Sequence, residues 1–184
     1  MASANRPPRS HEWPLTTGRS ELLSKRSDME FRRLLHGLMS YGRMINDIRS
    51  YFAGMLGISG VQYEILMAVQ RLEGTEGISV SDTANWIRRS PAFVTNEVKA
   101  LRSARLLTKE KAQDDRRKVL LRLTSMARKR IAELAPVQRD VNDLLFETLS
   151  AGEFKTMVKL IDQLLPCGEK ALHRIELLKL ESGG

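Results

Sequence analysis

The stretch KEKAQDDRRKVLLRLT, residues 109–124, sets two acids directly against three bases where a polar run meets an apolar one. Past that junction Leu121 and Leu123 alternate with Arg122, the period of two expected of a half-buried strand. The preceding run, LLTKEKA, is also strand-like, so QDDRR becomes the tip of a β-hairpin over about residues 107–123. An Asp two residues ahead of an Arg can pair with it and fix the loop, which spares side-chain entropy when the guanidinium binds. Asp115 is therefore expected to orient Arg117, while Arg116 and Lys118 project toward phosphate or a narrow minor groove, where the potential favours Arg. A solvated turn with balanced charges is the plainer reading of the same residues.

Upstream, SPAFVTNEVKALRSAR offers Ser90 as N-cap with Pro91 at the first helical position, and ISVSDTANWI offers Ser79 with Asp82 three residues on. Two short helices are thus predicted, joined by Arg88 and Arg89 in a tight turn. Val94, Val98 and Leu101 share one face of the second helix and should be buried. Ala92, Thr95, Asn96 and Lys99 then lie away from it, a small polar face able to enter a major groove. Asn96 could pair its amide with adenine and Lys99 could take phosphate or guanine. An ordinary solvated helix face would look the same. Helix, turn, helix and hairpin in that order make a winged helix-turn-helix, with Arg88, Ser90, Pro91, Ala92, Thr95, Asn96, Lys99, Asp115, Arg116, Arg117 and Lys118 as candidate DNA contacts.

Charge placement points the same way. The chain of 184 residues has a net charge of +8. Residues 86–130 hold 14 Lys and Arg against four acids, a net of +10, so the remainder carries −2. One region contains all the positive excess, the footprint expected for a polyanion, although a solvated basic face is the bland alternative. Apolar residues at 42% and charged residues at 28% suit a folded globular protein. No apolar run approaches the roughly 20 residues of a membrane span, and a cytoplasmic location is expected. Cys167, the single cysteine, cannot form an intramolecular disulfide. A redox-sensing role for it is not expected, since no second cysteine resolves an oxidised form.

Residues 1–26 mix Pro, Ser and Arg without a period and read as a flexible arm. A long helix follows, opened by Ser27 and Glu30 at capping-box spacing, striped by Leu34, Leu38, Tyr41, Ile45, Ile48, Phe52 and Met55, and stopped near Gly57. SGVQYEILMAVQRLEG repeats the grammar with Ser59, Gln62 and Gly74. Thr124 caps a helix expected to reach about Leu149 with a kink at Pro136. Ser150 and Glu153 start another that Pro166 should end, leaving a short helix in a C-terminal extension over residues 166–184. Terminal amphipathic helices must bury their stripes somewhere, and a partner subunit is the expected place.

GISGVQYEILMAVQ, ISVSDTANWI, SPAFVTNEVKALRSARLL and DDRRKVLLRLT together resemble the MarR family of bacterial transcriptional regulators, over about residues 28–165. The most specific element is the D-x-R wing followed by L-T: Asp115, Arg117, Leu123 and Thr124. Arg105 stands where the family usually has Gly after the recognition helix, and Ala127 where Gly usually follows L-T-x-x. The resemblance implies a mainly α fold, with a winged-helix lobe spanning residues 27–165 together with its N- and C-terminal dimerisation helices. It implies a homodimer that binds an inverted-repeat operator in double-stranded DNA, a repressor released by a small aromatic acid or acyl-CoA ligand. Tyr41, Met44, Ile48 and Met67 are the candidate ligand-binding residues, and ordinary core is the competing reading for them. No H-E-x-x-H, C-x-x-C, G-x-S-x-G or Gly-rich phosphate loop occurs, so no enzyme activity, metal site or cofactor is expected. A non-specific architectural DNA binder and a helical oligomerisation module are the alternatives. Salt dependence and sequence preference of DNA binding would separate the three.

Overall fold

The computed structural model describes residues 14–111 and 119–182. The elements in order are a 3-10 turn Ser20–Leu22, α1 Met29–Met55, α2 Gly60–Leu72, β1 Ile78–Ser79, α3 Val80–Trp86, α4 Pro91–Ser103, β2 Leu107–Lys111, β3 Val119–Leu123, α5 Ser125–Leu145 and α6 Ala151–Ser182. Two compact units divide the chain, Met1–Leu134 and Ala135–Gly184.

In the first unit the core gathers where α2 crosses the helix-turn-helix. Ile65, Leu66 and Val69 of α2, Val94 and Leu101 of α4, Leu106 after it and Leu121 of β3 are all fully buried. Each such side chain contributes about 1.5 to 3 kcal/mol relative to exposure. The three antiparallel strands run in the order β1, β3, β2, with Leu107 opposite Leu123 and Lys111 opposite Val119. The predicted hairpin is thus present, and it gains a third strand that helical capping at Ser79 concealed: Ile78 pairs with Leu121 just before α3 begins. Gly77 makes that approach possible. Its φ is 96°, and a Cβ there would lie 3.0 Å from the Leu121 carbonyl oxygen.

Several expectations are corrected. The arm is not featureless from Pro14 onward: Thr16 donates its amide and its hydroxyl to Asp28 Oδ2, both at 2.7 Å, and Arg32 donates from Nη2 to the Pro14 carbonyl at 2.8 Å. Ser27 and Glu30 do not form a capping box. Asp28 is the N-cap, without a cap bond from its side chain, because its carboxylate is engaged by Thr16 and by Arg32 Nε at 3.0 Å. The α1 stripe is buried only at its C-terminal end, at Phe52, while Leu34, Leu38 and Met55 are exposed.

In the second unit α6 runs unbroken to Ser182 through Pro166. Proline costs an interior helix about 3 kcal/mol, but the strong helix formers of GEKALHRIELLKL on its far side keep the helix going. The helix begun at Thr124 ends at Leu145 rather than Leu149 and contains Pro136 within it. Ser150 and Glu153 do form the expected cap: the Ser150 amide donates to Glu153 Oε2 at 2.9 Å and the Glu153 amide donates to Ser150 Oγ at 3.3 Å. Among the described residues, no single helix is long and apolar enough to cross a membrane.

Candidate nucleic-acid interface

The helix-turn-helix is built by caps that the sequence announces and by ends that it hides. Ser79 Oγ accepts from the Asp82 amide at 3.0 Å to start α3, and Ser90 Oγ accepts from the Phe93 amide at 3.2 Å to start α4. Between them α3 ends in a Schellman turn: the Arg88 amide donates to the Asn85 carbonyl at 3.3 Å and the Arg89 amide to the Ala84 carbonyl at 3.0 Å. The left-handed residue of that turn, usually Gly, is Arg88, with φ 55°. The end of α4 repeats the pattern, with Arg105 amide to Arg102 carbonyl and Leu106 amide to Leu101 carbonyl, both 2.9 Å, and Arg105 at φ 58°.

The face of α4 away from the core is as the apolar spacing demands. Val94, Val98 and Leu101 are buried, and Ser90, Pro91, Ala92, Asn96 and Lys99 are exposed, as is Arg88. Thr95 departs from this. It is half-buried and its hydroxyl donates to the Pro91 carbonyl at 2.8 Å, so only its oxygen lone pairs and methyl remain for a ligand. Lys99 Nζ donates to Asn96 Oδ1 at 3.4 Å, an exposed and weak contact that a base edge can displace.

Two further features were not singled out in the sequence. The Arg89 guanidinium sits over the Phe93 ring, 5.7 Å from its centroid, which pre-orients a cation at the entry to α4. The signal was present as an Arg and an aromatic four residues apart across the cap. Gln62 completes the capping box of α2, accepting from the Ser59 amide at 3.1 Å, and its Nε2 donates to Glu97 Oε2 at 3.0 Å. The start of α2 thereby holds α4 by a polar clamp in addition to the core.

The hairpin is anchored by a buried carboxylate. Glu73 Oε2 accepts from the Leu123 amide at 2.8 Å, and its Oε1 lies 2.7 Å from Arg128 Nη2. One acid thus ties the end of α2 to β3 and to the first turns of α5, whose N-cap is Thr124 as expected, accepting from the Ala127 amide at 3.0 Å. A cleft brings Ser81 and Asp82 of α3 and Pro91 and Thr95 of α4 opposite Lys109 and Val119 at the foot of the hairpin. Asp115, Arg116, Arg117 and Lys118 lie outside the described residues.

Of the ligand candidates, Tyr41 and Ile48 on α1 and Met67 on α2 are half-buried, and Met44 is 57% exposed. Among the described residues, no three His, Cys, Asp or Glu side chains converge to hold a metal.

Neither a family model nor a curated protein matches the sequence. Solved structures do match the fold. A MarR protein from Peptoclostridium difficile is 18% identical, with 83% of this chain and 96% of that one covered at a TM-score of 0.63. AbsC, a MarR family transcriptional regulator from Streptomyces coelicolor, is 20% identical, with coverages of 82% and 97% and a TM-score of 0.62. A MarR mutant from E. coli complexed with operator DNA is 19% identical, with coverages of 75% and 95% and a TM-score of 0.61. The chain therefore has the winged helix-turn-helix fold of the MarR transcriptional regulators.

Proposed function

We propose that this protein is a sequence-specific DNA-binding transcriptional regulator, acting as a homodimeric repressor on an inverted-repeat operator. The observation that carries the reading is α4: its apolar residues are buried and its opposite face presents Ser90, Pro91, Ala92, Asn96 and Lys99 to solvent, small or polar side chains with one base. Such a face fits a major groove, with Asn96 reading a base edge and Thr95 packing beside it. Arg88 and Arg89 reach backbone phosphates at the helix entry, and Arg116, Arg117 and Lys118 of the wing take the flanking minor groove or backbone, with Asp115 orienting Arg117. The MarR mutant solved with operator DNA shares this fold, which supports the same docking mode. A symmetric dimer would set two recognition helices about 34 Å apart, one turn of duplex.

Release by a small aromatic acid or an acyl-CoA belongs to the same proposal. Such a ligand would lie against Tyr41, Met44, Ile48 and Met67. It would act only through better affinity for a conformation whose recognition helices miss successive grooves. The Gln62–Glu97 contact is the polar link by which a shift of α2 would reach α4.

The test is a gel-shift titration on DNA flanking the protein's own gene, with unrelated duplex as competitor and a panel of aromatic acids and CoA thioesters. Specific binding released by one compound supports the whole reading. Equal competition by unrelated DNA would instead make the protein an architectural binder, and an absence of binding would remove nucleic acid from its function.

A further inference from the structure

Arg105 occupies a backbone position that makes any side chain costly. At φ 58° its Cβ crowds the carbonyl, a penalty glycine does not incur. The turn it completes is closed by main-chain hydrogen bonds beside the fully buried Leu101 and Leu106, and the Arg105 carbonyl accepts from Thr124 Oγ1 at 2.7 Å, so the residue's backbone and not its side chain holds the turn. The equivalent turn after α1 is made with Gly57, at φ 67°, where the Gly57 amide donates to Gly54 and the Ile58 amide to Ala53. Among the described residues no hydrogen bond or ion pair engages the exposed guanidinium at 105, and strain of this kind persists where a side chain serves a further role.

Arg105 lines a basic cleft. Lys99, Arg102 and Arg105 from the end of α4 and Lys109 from β2 line one open depression. Its one carboxylate, Glu110, already lies 3.8 Å from Arg122 Nε. Among the described residues no carboxylate pairs with Arg102, Arg105 or Lys109, so among those residues the positive charge of the cleft is uncompensated.

We propose that this cleft is a phosphate seat for the backbone of duplex DNA, in which Arg105, helped by Arg102 and Lys109, grips a phosphodiester beyond the base pairs that α4 faces. The proposal rests on the DNA-binding reading above and extends its contact surface. The guanidinium fork matches two phosphate oxygens, and release of the condensed counterion supplies the gain. A rival role, neutralising the C-terminal dipole of α4, makes the opposite prediction for stability.

The experiment uses the full chain with Arg105→Gly and Arg105→Lys. Binding to several duplexes is followed by fluorescence anisotropy across a salt series, and thermal melts are run with and without inorganic phosphate. Arg105→Gly is expected to weaken binding about tenfold by a similar factor on every duplex and to flatten the slope of log K against log salt by about 0.9. Its Tm should equal or exceed that of the parent, since the strain is relieved, while Arg105→Lys keeps the slope. Unchanged affinity and slope in Arg105→Gly would overturn the proposal, as would a fall in Tm with the slope intact, which would assign Arg105 to capping. A phosphate-induced rise in Tm that Arg105→Gly abolishes, with DNA binding untouched, would give the cleft to a free phosphorylated ligand and overturn the DNA assignment. If the parent binds no duplex at all, the DNA-binding reading itself fails and this extension fails with it.

Discussion

Asp28 accepts three hydrogen bonds, two from Thr16 and one from Arg32, and these partners stabilise its charged form. The Arg32 guanidinium foremost, then Thr16, hold its carboxyl far below the usual carboxylate range. A depressed folded pKa means that the clamp contributes fully above the unfolded value of about 3.9 and is lost as pH falls from there through the folded value. Asp28→Asn should therefore lower Tm at pH 7, with the gap from the parent narrowing below about pH 4. Melts between pH 7 and pH 2.5 check this, and a gap of constant size would mean that the charge of Asp28 is irrelevant. Asn96 carries the corresponding residue-scale prediction for function. Asn96→Ala should relax base preference by about 1 to 3 kcal/mol at one position per half-site, measured by competition with single-base operator variants. A uniform loss across all variants would assign Asn96 to the backbone instead.

At the scale of elements, starts were more legible than ends. Ser59, Ser79, Ser90, Thr124 and Ser150 each cap a helix as their spacing announced, because a side-chain oxygen three residues ahead of a free amide is a local device. The ends of α3 and α4 were harder to read, since their left-handed residues are Arg88 and Arg105 where glycine is the usual sign. The family resemblance marks position 105 as a departure, and the spacing of the two helices places a tight turn at Arg88 and Arg89, but no glycine there announces Arg88 as its left-handed residue. Pro166 misled in the other direction, and the hold of Thr16 on Asp28 joins residues too far apart for any periodicity to reveal. The apolar face of α4 was fully legible, whereas the Gln62–Glu97 clamp needed the packing of α2 on α4. That clamp predicts a coupling energy of about 0.5 to 1 kcal/mol in a double-mutant cycle of Gln62→Ala and Glu97→Ala, with DNA affinity falling in each single variant. Additive stabilities would show that apolar contacts alone orient the recognition helix.

At the scale of the molecule, the exposed apolar surface is the ground for the proposed second copy. No residue of α6 is buried, yet Phe154, Val158, Ile161, Leu165, Leu172 and Ile175 recur along it at helical spacing. A stripe that long on one chain is a surface seeking a complement, and in the proposed homodimer a second copy would supply one without any other component. Dimerisation would also strengthen the proposed operator binding, because joining two half-site contacts turns the second into an intramolecular event. Leu165→Glu should then raise the dimer dissociation constant at least about 100-fold, since an unpaired carboxylate in an apolar seam costs about 3 kcal/mol. Sedimentation velocity would read the dissociation, and operator binding should weaken in step with the loss of dimer. Arg117→Ala provides the contrast, weakening DNA binding through the wing while leaving the dimer intact. A Leu165→Glu chain that stays dimeric and binds the operator normally would show that α6 is not the seam, and the two half-sites would then have to be joined through another surface of the chain.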